Sequence, residues 1–168
     1  MIKVIGIGSP FGDDQAGWKV VESLKEDNFI QSHYQHVDAN YFDRPGIRLL
    51  NLMYNANTVF LIDAVKSGNT IGTVFRFQDN EIQAVNSMLS THHMGVVDVL
   101  KLGSMINELP DSIILYGIEI DTIELNSVIS EVVEKAIKQV VLYLKDEIIN
   151  LLNRKEINLF QVNPYVNE

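Results

Sequence analysis

Short apolar segments of strand length alternate along this chain with segments of helical periodicity, and this alternation constrains the fold more than any other feature. Strands are predicted at residues 4–8, 33–39, 58–62, 73–77 and 113–118. One helix is predicted to begin with Asp13 and Asp14, and others are predicted at residues 45–54, at residues 94–107 and from about 126 to 152. Alternating β and α units with right-handed crossovers form an open parallel sheet with helices on both faces. The pattern predicts a single-domain α/β fold, a three-layer sandwich around a mostly parallel twisted sheet.

The domain is predicted to cover residues 1–153. A chain of 168 residues has the size of one domain, and no repeat, linker or low-complexity segment divides it. Residues 154–168 carry scattered apolar side chains without a firm period. We expect this C-terminal tail to pack loosely or to contact a partner.

Charge and composition exclude several classes of function. The formal net charge of −9 repels phosphate backbones, so nucleic acid is not expected as a partner. The absence of cysteine excludes a disulfide framework, a thiolate metal site and a cysteine nucleophile. No apolar run reaches the roughly 18 residues of a membrane span, and no signal peptide opens the chain. We therefore expect a cytoplasmic protein that does not bind membranes.

Polar side chains follow the predicted strands at the points where the strands end. Asp13 and Asp14 come after the first strand, Asp63 closes the third, and His92 and His93 follow the fourth. In open α/β sheets, ligands bind outside the carboxyl ends of the strands. We therefore expect these side chains to meet at one edge of the sheet.

Two carboxylates and an imidazole suit divalent nickel, zinc or manganese, and three protein ligands leave coordination positions open. Each residue also has a structural alternative. Asp13 and Asp14 stand where acidic residues cap a helix, and Asp63 stands where it can cap a turn before Gly68. Asp38, placed at the end of the second predicted strand, is a further candidate for the same edge.

Two other enzyme classes fit the sequence poorly. Gly6 and Gly8 begin a dinucleotide-binding pattern, but its third glycine is replaced by Phe11, and two carboxylates at the helix start repel a pyrophosphate. A serine hydrolase is disfavoured because the chain has no G-x-S-x-G nucleophile elbow.

Four motifs, in order, resemble those of the hydrogenase maturation proteases, the endopeptidases that process nickel-hydrogenase large subunits. They are GIGSPFGDDQAG at 6–17, VFLIDAV at 59–65, STHHMGVVDVL at 90–100 and YGIE at 116–119. The motifs extend over most of residues 1–150. Their combination is specific to this family, whereas any one of them alone is a weak signal.

The resemblance implies an aspartic-type endopeptidase that removes the C-terminal extension of a nickel-hydrogenase large-subunit precursor after nickel insertion. By match to the motifs, the metal ligands are Asp14, Asp63 and His92. The nickel is supplied by the precursor, and another divalent ion can occupy the site in the isolated protein. Asp38 matches an aspartate that ends the second strand in this family, and we expect it to act as a general base or to position the substrate.

Two alternatives from other classes stay open at this point. A non-catalytic metal-sensing or chaperone module binds the same precursor without cutting a peptide bond. An unrelated flavodoxin-like binding domain shares the fold pattern, although the acidic pair at the first helix disfavours it.

Overall fold

The computed structural model describes residues 1–84, 95–121 and 128–162, and at its centre lies a five-stranded sheet. The strands follow one another in the spatial order β2-β1-β3-β5-β4. Only β4 runs antiparallel, against β5, while the other neighbours are parallel. The strands are β1 Ile2–Gly8, β2 Val37–Asp43, β3 Thr58–Val65, β4 Val74–Gln78 and β5 Ser112–Glu119. The predicted mostly parallel sheet is confirmed.

Helices cover both faces of this sheet and give two separate apolar cores. One core joins one face to α1 and α6, and the other joins the opposite face to α3 and α5. The helices are α1 Ala16–Lys25, α2 Asn28–Ser32, α3 Arg48–Met53, α4 Asn80–Ala84, α5 Val96–Met105 and α6 Glu131–Val162. This is the three-layer sandwich that the alternating pattern predicts.

The longest helix, α6, packs along the sheet through residues spaced three or four apart, which is the helical period. Its buried side chains include Val133, Val140, Leu144 and Ile148, as the periodicity predicts. The helix has 32 residues and continues to Val162, so the first part of the predicted C-terminal tail is helical. Within the described ranges, no helix is both long enough and apolar enough to cross a bilayer.

The second strand lies about four residues later than predicted. Residues 33–36, assigned to this strand by the sequence, form turns, with the amides of His36 and Val37 donating to the carbonyl of His33 at 2.8 and 3.0 Å. The turn follows a short helix that Asp27 caps through the amides of Phe29 and Ile30. This cap, which the sequence analysis missed, displaces the start of β2 to Val37.

Candidate active site

Three glycines of the first motif let the backbone of the loop after β1 lie directly against the sheet. A Cβ on Gly8 would overlap the carbonyl oxygen of Asp14, and one on Gly6 would overlap that of Gly17. A Cβ on Gly17 would meet the carbonyl oxygens of both Ile7 and Ile62. The glycines therefore serve close backbone packing, which brings the start of α1 across the ends of β1 and β3.

Asp13 and Asp14 lie in a 3-10 turn, Gly12–Gln15, between β1 and α1, and the two carboxylates do different things. Neither caps this turn or the helix that follows. Asp13 instead accepts hydrogen bonds from the amide and the hydroxyl of Ser130 at 2.7 and 2.9 Å. Because Ser130 directly precedes α6, Asp13 anchors the beginning of that helix. The N-cap interpretation is therefore wrong for α1, and Asp13 belongs to the scaffold.

Asp63 lies near the carboxyl end of β3, one residue beyond the last pair of β3 with β1, which is Gly6 with Ile62. Burial, and after it the negative charge of Asp14, raises the pKa of the Asp63 carboxyl group to about 7, although a hydrogen bond with the backbone of Ala64 lowers it. This charge interaction indicates that the Asp14 and Asp63 carboxyl groups lie near each other at this end of the sheet. Two of the three predicted ligands therefore lie at the same edge, and their binding of a metal stays a prediction.

Arg44 lies beside this acidic pair in the loop after β2. Its pKa is raised chiefly by a hydrogen bond and charge interaction with Asp43, at 2.7 Å, and also by the charge of Asp14. The amide of Arg44 donates to the carbonyl of Gly8 at 3.1 Å, and its φ of +38° turns the chain away from the sheet. Sequence analysis missed this cation, because nothing in the pattern of β2 located the strand end at Asp43.

His92, the third predicted ligand, and its neighbour His93 lie outside the described residues. The described chain resumes at Gly95, the N-cap of α5. This helix packs on the sheet face that carries Leu61, two residues before Asp63 on the same side of β3. Among the described residues, no group of three or more His, Asp or Glu side chains forms a metal site.

Asp38 does not have the position that suggested a catalytic role. It is the second residue of β2 and pairs with Lys3 near the amino end of β1, whereas Asp43 ends β2 opposite Gly8. Five residues of strand, at about 3.3 Å each, separate the two aspartates. Asp38 is exposed and accepts a hydrogen bond from Asn40 at 2.6 Å. Its assignment to the carboxyl edge was wrong because the boundaries of β2 were wrong.

Glu119, the last residue of the fourth motif, is buried and holds the loop after β3. Its carboxylate accepts hydrogen bonds from the Ser67 amide at 2.8 Å, the Ser67 hydroxyl at 2.6 Å and the Gly68 amide at 2.9 Å. This loop follows directly on the strand that carries Asp63. The sequence motif gave no role for the glutamate, and the structure gives it a supporting one.

Comparison with known proteins identifies the family. The hydrogenase maturation protease family model (HycI) matches residues 19–149, which is most of the chain. The chain belongs to the hydrogenase maturation protease family. It is 27% identical to the hydrogenase 2 maturation protease of Escherichia coli (strain K12) over 164 residues, covering 94% of this chain and 98% of that relative.

Solved structures agree with this membership. The hydrogenase maturating endopeptidase HybD from E. coli matches with a TM-score of 0.68 and 25% identity over 87% of this chain and 93% of that one. The [NiFe] hydrogenase maturation protease HybD from Thermococcus kodakarensis has the same TM-score at 24% identity, over 86% and 97% of the two chains, and shows the shared fold. The predicted hydrogenase maturation endopeptidase is thus confirmed, and the flavodoxin-like alternative is wrong.

Proposed function

We propose that this maturation protease removes the C-terminal extension of a nickel-hydrogenase large-subunit precursor after nickel insertion, and that Asp14, Asp63 and His92 contact the nickel held by the precursor. The observation that supports the proposal is the close approach of the segment bearing Asp14 to the ends of β1 and β3, where Asp63 lies, together with the charge interaction of the two carboxyl groups. Members of this family act on hydrogenase large-subunit precursors, and this pair is the feature of the edge suited to a metal-bearing substrate.

The donor set fits a divalent ion carried by another protein. Two facing carboxylates repel each other, which is part of why the pKa of Asp63 is raised. A divalent cation between them removes this repulsion and favours both ionised forms. Carboxylates with one imidazole suit divalent nickel, zinc or manganese, and three such ligands leave positions for ligands from the precursor.

In the proposed reaction, the chain's residues orient the precursor so that its scissile bond lies at the edge of the sheet. A divalent ion at such a site polarises a carbonyl group or activates a water molecule. The backbone of Asp14 packs directly against Gly8, which fixes its position. Glu119 holds the loop that follows the strand bearing Asp63. The aspartic-type mechanism stays a prediction from the family resemblance, since Asp14 and Asp63 are proposed as contacts of the metal and not as a general acid and base.

The test is a cleavage assay with purified precursor, loaded with nickel or free of nickel. Asp14→Asn and Asp63→Asn should each abolish cleavage of the nickel-loaded precursor, because an amide does not replace an anionic ligand. Asp38→Asn is the matched control, since it removes one exposed carboxylate at the opposite end of β2, and it should cleave normally.

Circular dichroism of each variant verifies the fold. Wild-type protein should leave the nickel-free precursor uncut. If Asp14→Asn and Asp63→Asn both cleave as fast as Asp38→Asn, the site assignment is wrong. If wild-type protein binds the loaded precursor and never cuts it, the protein acts as a chaperone instead.

A further inference from the structure

The outer edge of β2 carries backbone groups that point away from the sheet. The amide of Ile2 donates to the carbonyl of His36 at 2.8 Å, and the amide of Arg44 donates to Gly8 at 3.1 Å. These two bonds lie at the two ends of a regular parallel ladder between β1 and β2. In such a ladder, the backbone N–H and C=O groups of the even-numbered residues of β2 point toward β1. Ala39, Tyr41 and Asp43 therefore direct both N–H and C=O outward, with no backbone partner within the described residues.

The carboxyl end of this edge lies next to the proposed active site. Asp43 pairs with Gly8, and the backbone of Gly8 lies against that of Asp14. The hydrogen bond from the Arg44 amide to the Gly8 carbonyl extends the pairing of the two strands by one residue. Neighbouring strands lie about 4.8 Å apart, so a strand added outside β2 runs about 10 Å from β1. The opposite edge strand, β4, is separated from β3 by β5 and runs in the reverse direction.

Of the three residues that direct their backbone groups outward, Tyr41 and Asp43 are exposed, whereas Ala39 is only 7% exposed. The Tyr41 ring stacks on Trp18 with centroids 5.1 Å apart, and the Trp18 indole N–H donates to the carbonyl of Phe42 at 3.1 Å. Tyr41 is 40% exposed. Residues 37–43 contain no proline or glycine, which are common means of closing an edge to further pairing.

We propose that the precursor segment next to the scissile bond binds as an additional β-strand along the exposed end of β2, at Tyr41 and Asp43. The inference rests on the proposed function, because the substrate of an endopeptidase is a polypeptide that must lie extended at the site. Main-chain pairing supplies affinity without demanding a particular sequence. Continuity of the edge with the acidic pair favours this occupant over a second copy of the chain, which carries the same net charge of −9.

A proline at position 41 tests the role of the outward N–H. Tyr41→Pro removes a donor that β1 does not use, and Tyr41→Ala is the matched control that removes the ring and keeps the donor. With nickel-loaded precursor, Tyr41→Pro should raise KM at least tenfold over Tyr41→Ala, with kcat changed much less. Equal KM values for the two variants, both folded by circular dichroism, overturn the proposal.

Amide exchange of the wild-type protein, measured by NMR, gives a second readout that does not depend on any variant folding. Addition of nickel-loaded precursor should slow exchange at Tyr41 and Asp43, with little change at Asn40 and Phe42, which already pair with β1. Unchanged exchange at these two outward amides overturns the proposal. So does protection that rises with protein concentration in the absence of precursor, because a second copy then occupies the edge.

The two hypotheses fail differently. If wild-type protein cuts the precursor and Tyr41→Pro is as active as Tyr41→Ala, only the strand-addition inference is wrong. If wild-type protein cuts nothing, the proposed function is wrong, whatever the edge binds.

Discussion

The raised pKa of Asp63, about 7, makes a prediction about stability at the scale of the single residue. Between the ordinary aspartate pKa of 3.8 and this value, the folded state binds a proton that the unfolded state has lost. The free energy of unfolding therefore falls as pH rises from about 4 to about 7. Asp63→Asn should stabilise the metal-free protein at pH 8 by about 2 kcal/mol. Each pKa unit of the shift corresponds to about 1.4 kcal/mol, and relaxation of the folded state around the charged carboxylate reduces the sum of these contributions.

Urea unfolding of both proteins, with a chelator present, measures this difference. At pH 4 the difference should nearly vanish, because Asp63 is then protonated in the folded state. A variant that is less stable than wild type at pH 8 would contradict the burial and repulsion assigned to this carboxyl group.

The histidine pair gives a second prediction for single residues. His92 matches the ligand position of the third motif, three residues before Gly95, and His93 has no counterpart there. His92→Ala should abolish cleavage of nickel-loaded precursor, and His93→Ala should retain most activity. An inactive His93→Ala beside an active His92→Ala would show that the motif has been aligned one residue out of place.

Asp14 and Asp63 could be located from the sequence because Asp14 follows β1 and Asp63 lies near the end of β3, two mostly apolar strands in the interior of the sheet. Glycines before Asp14 and the unbroken run before Asp63 make those strand ends easy to locate. Asp38 was misassigned because β2 is an edge strand with exposed polar residues, whose pattern does not define its ends. Arg44 and the Ser130 contact of Asp13 depend on pairs distant in sequence, which no local pattern contains.

At the scale of the elements, Asp13 connects the loop after β1 to the beginning of α6. Asp13→Ala removes two hydrogen bonds, one of which satisfies the Ser130 amide directly before the helix. We expect a loss of about 1–2 kcal/mol in the free energy of unfolding. Glu134→Ala is the control, since it removes an exposed carboxylate at the same end of α6, and it should cost less than about 0.5 kcal/mol.

Urea unfolding at pH 7 compares the two variants. Equal effects would mean that Asp13 acts only through its charge near the helix end. Ser130→Ala, which removes the hydroxyl and keeps the amide, should lie between them.

Asp27 connects two helices, since it caps α2 and accepts a hydrogen bond from Lys145 of α6 at 2.6 Å. The hydrogen bond from Lys145 is the main cause that holds the pKa of Asp27 below its usual value, and burial opposes it. Hydrogen bonds from the Ile30 and Phe29 amides also lower this pKa. The stabilisation is therefore present above about pH 4 and lost as pH falls through the lowered pKa. Asp27→Asn keeps a capping side chain and removes the ion pair, so it should cost about 1 kcal/mol at pH 7.

The same comparison at pH 3, again by urea unfolding, should show a smaller difference between the two proteins. A difference that stays constant from pH 7 to pH 3 would assign the effect to packing or capping and not to the charge of Asp27.

At the scale of the whole molecule, we propose that the precursor completes the metal site. Because Asp14, Asp63 and His92 are the ligands proposed from this chain, the isolated protein should lose added nickel on dialysis against buffer without a chelator. Elemental analysis after dialysis measures the nickel retained. Stoichiometric nickel that resists a chelator would instead indicate a resident metal and a metalloenzyme of another kind.

The contact of Gly17 with the carbonyl oxygens of Ile7 and Ile62 has a consequence for how such proteins diverge. The separation between the loop that bears Asp14 and the strand that bears Asp63 is set by main chain touching main chain. Substitutions among the apolar side chains of either core leave that separation unchanged, provided that the glycines remain. We therefore expect the spacing of the two carboxylates to persist in sequences that differ at about three-quarters of their positions, as this chain and its relative in E. coli do, wherever the glycines remain.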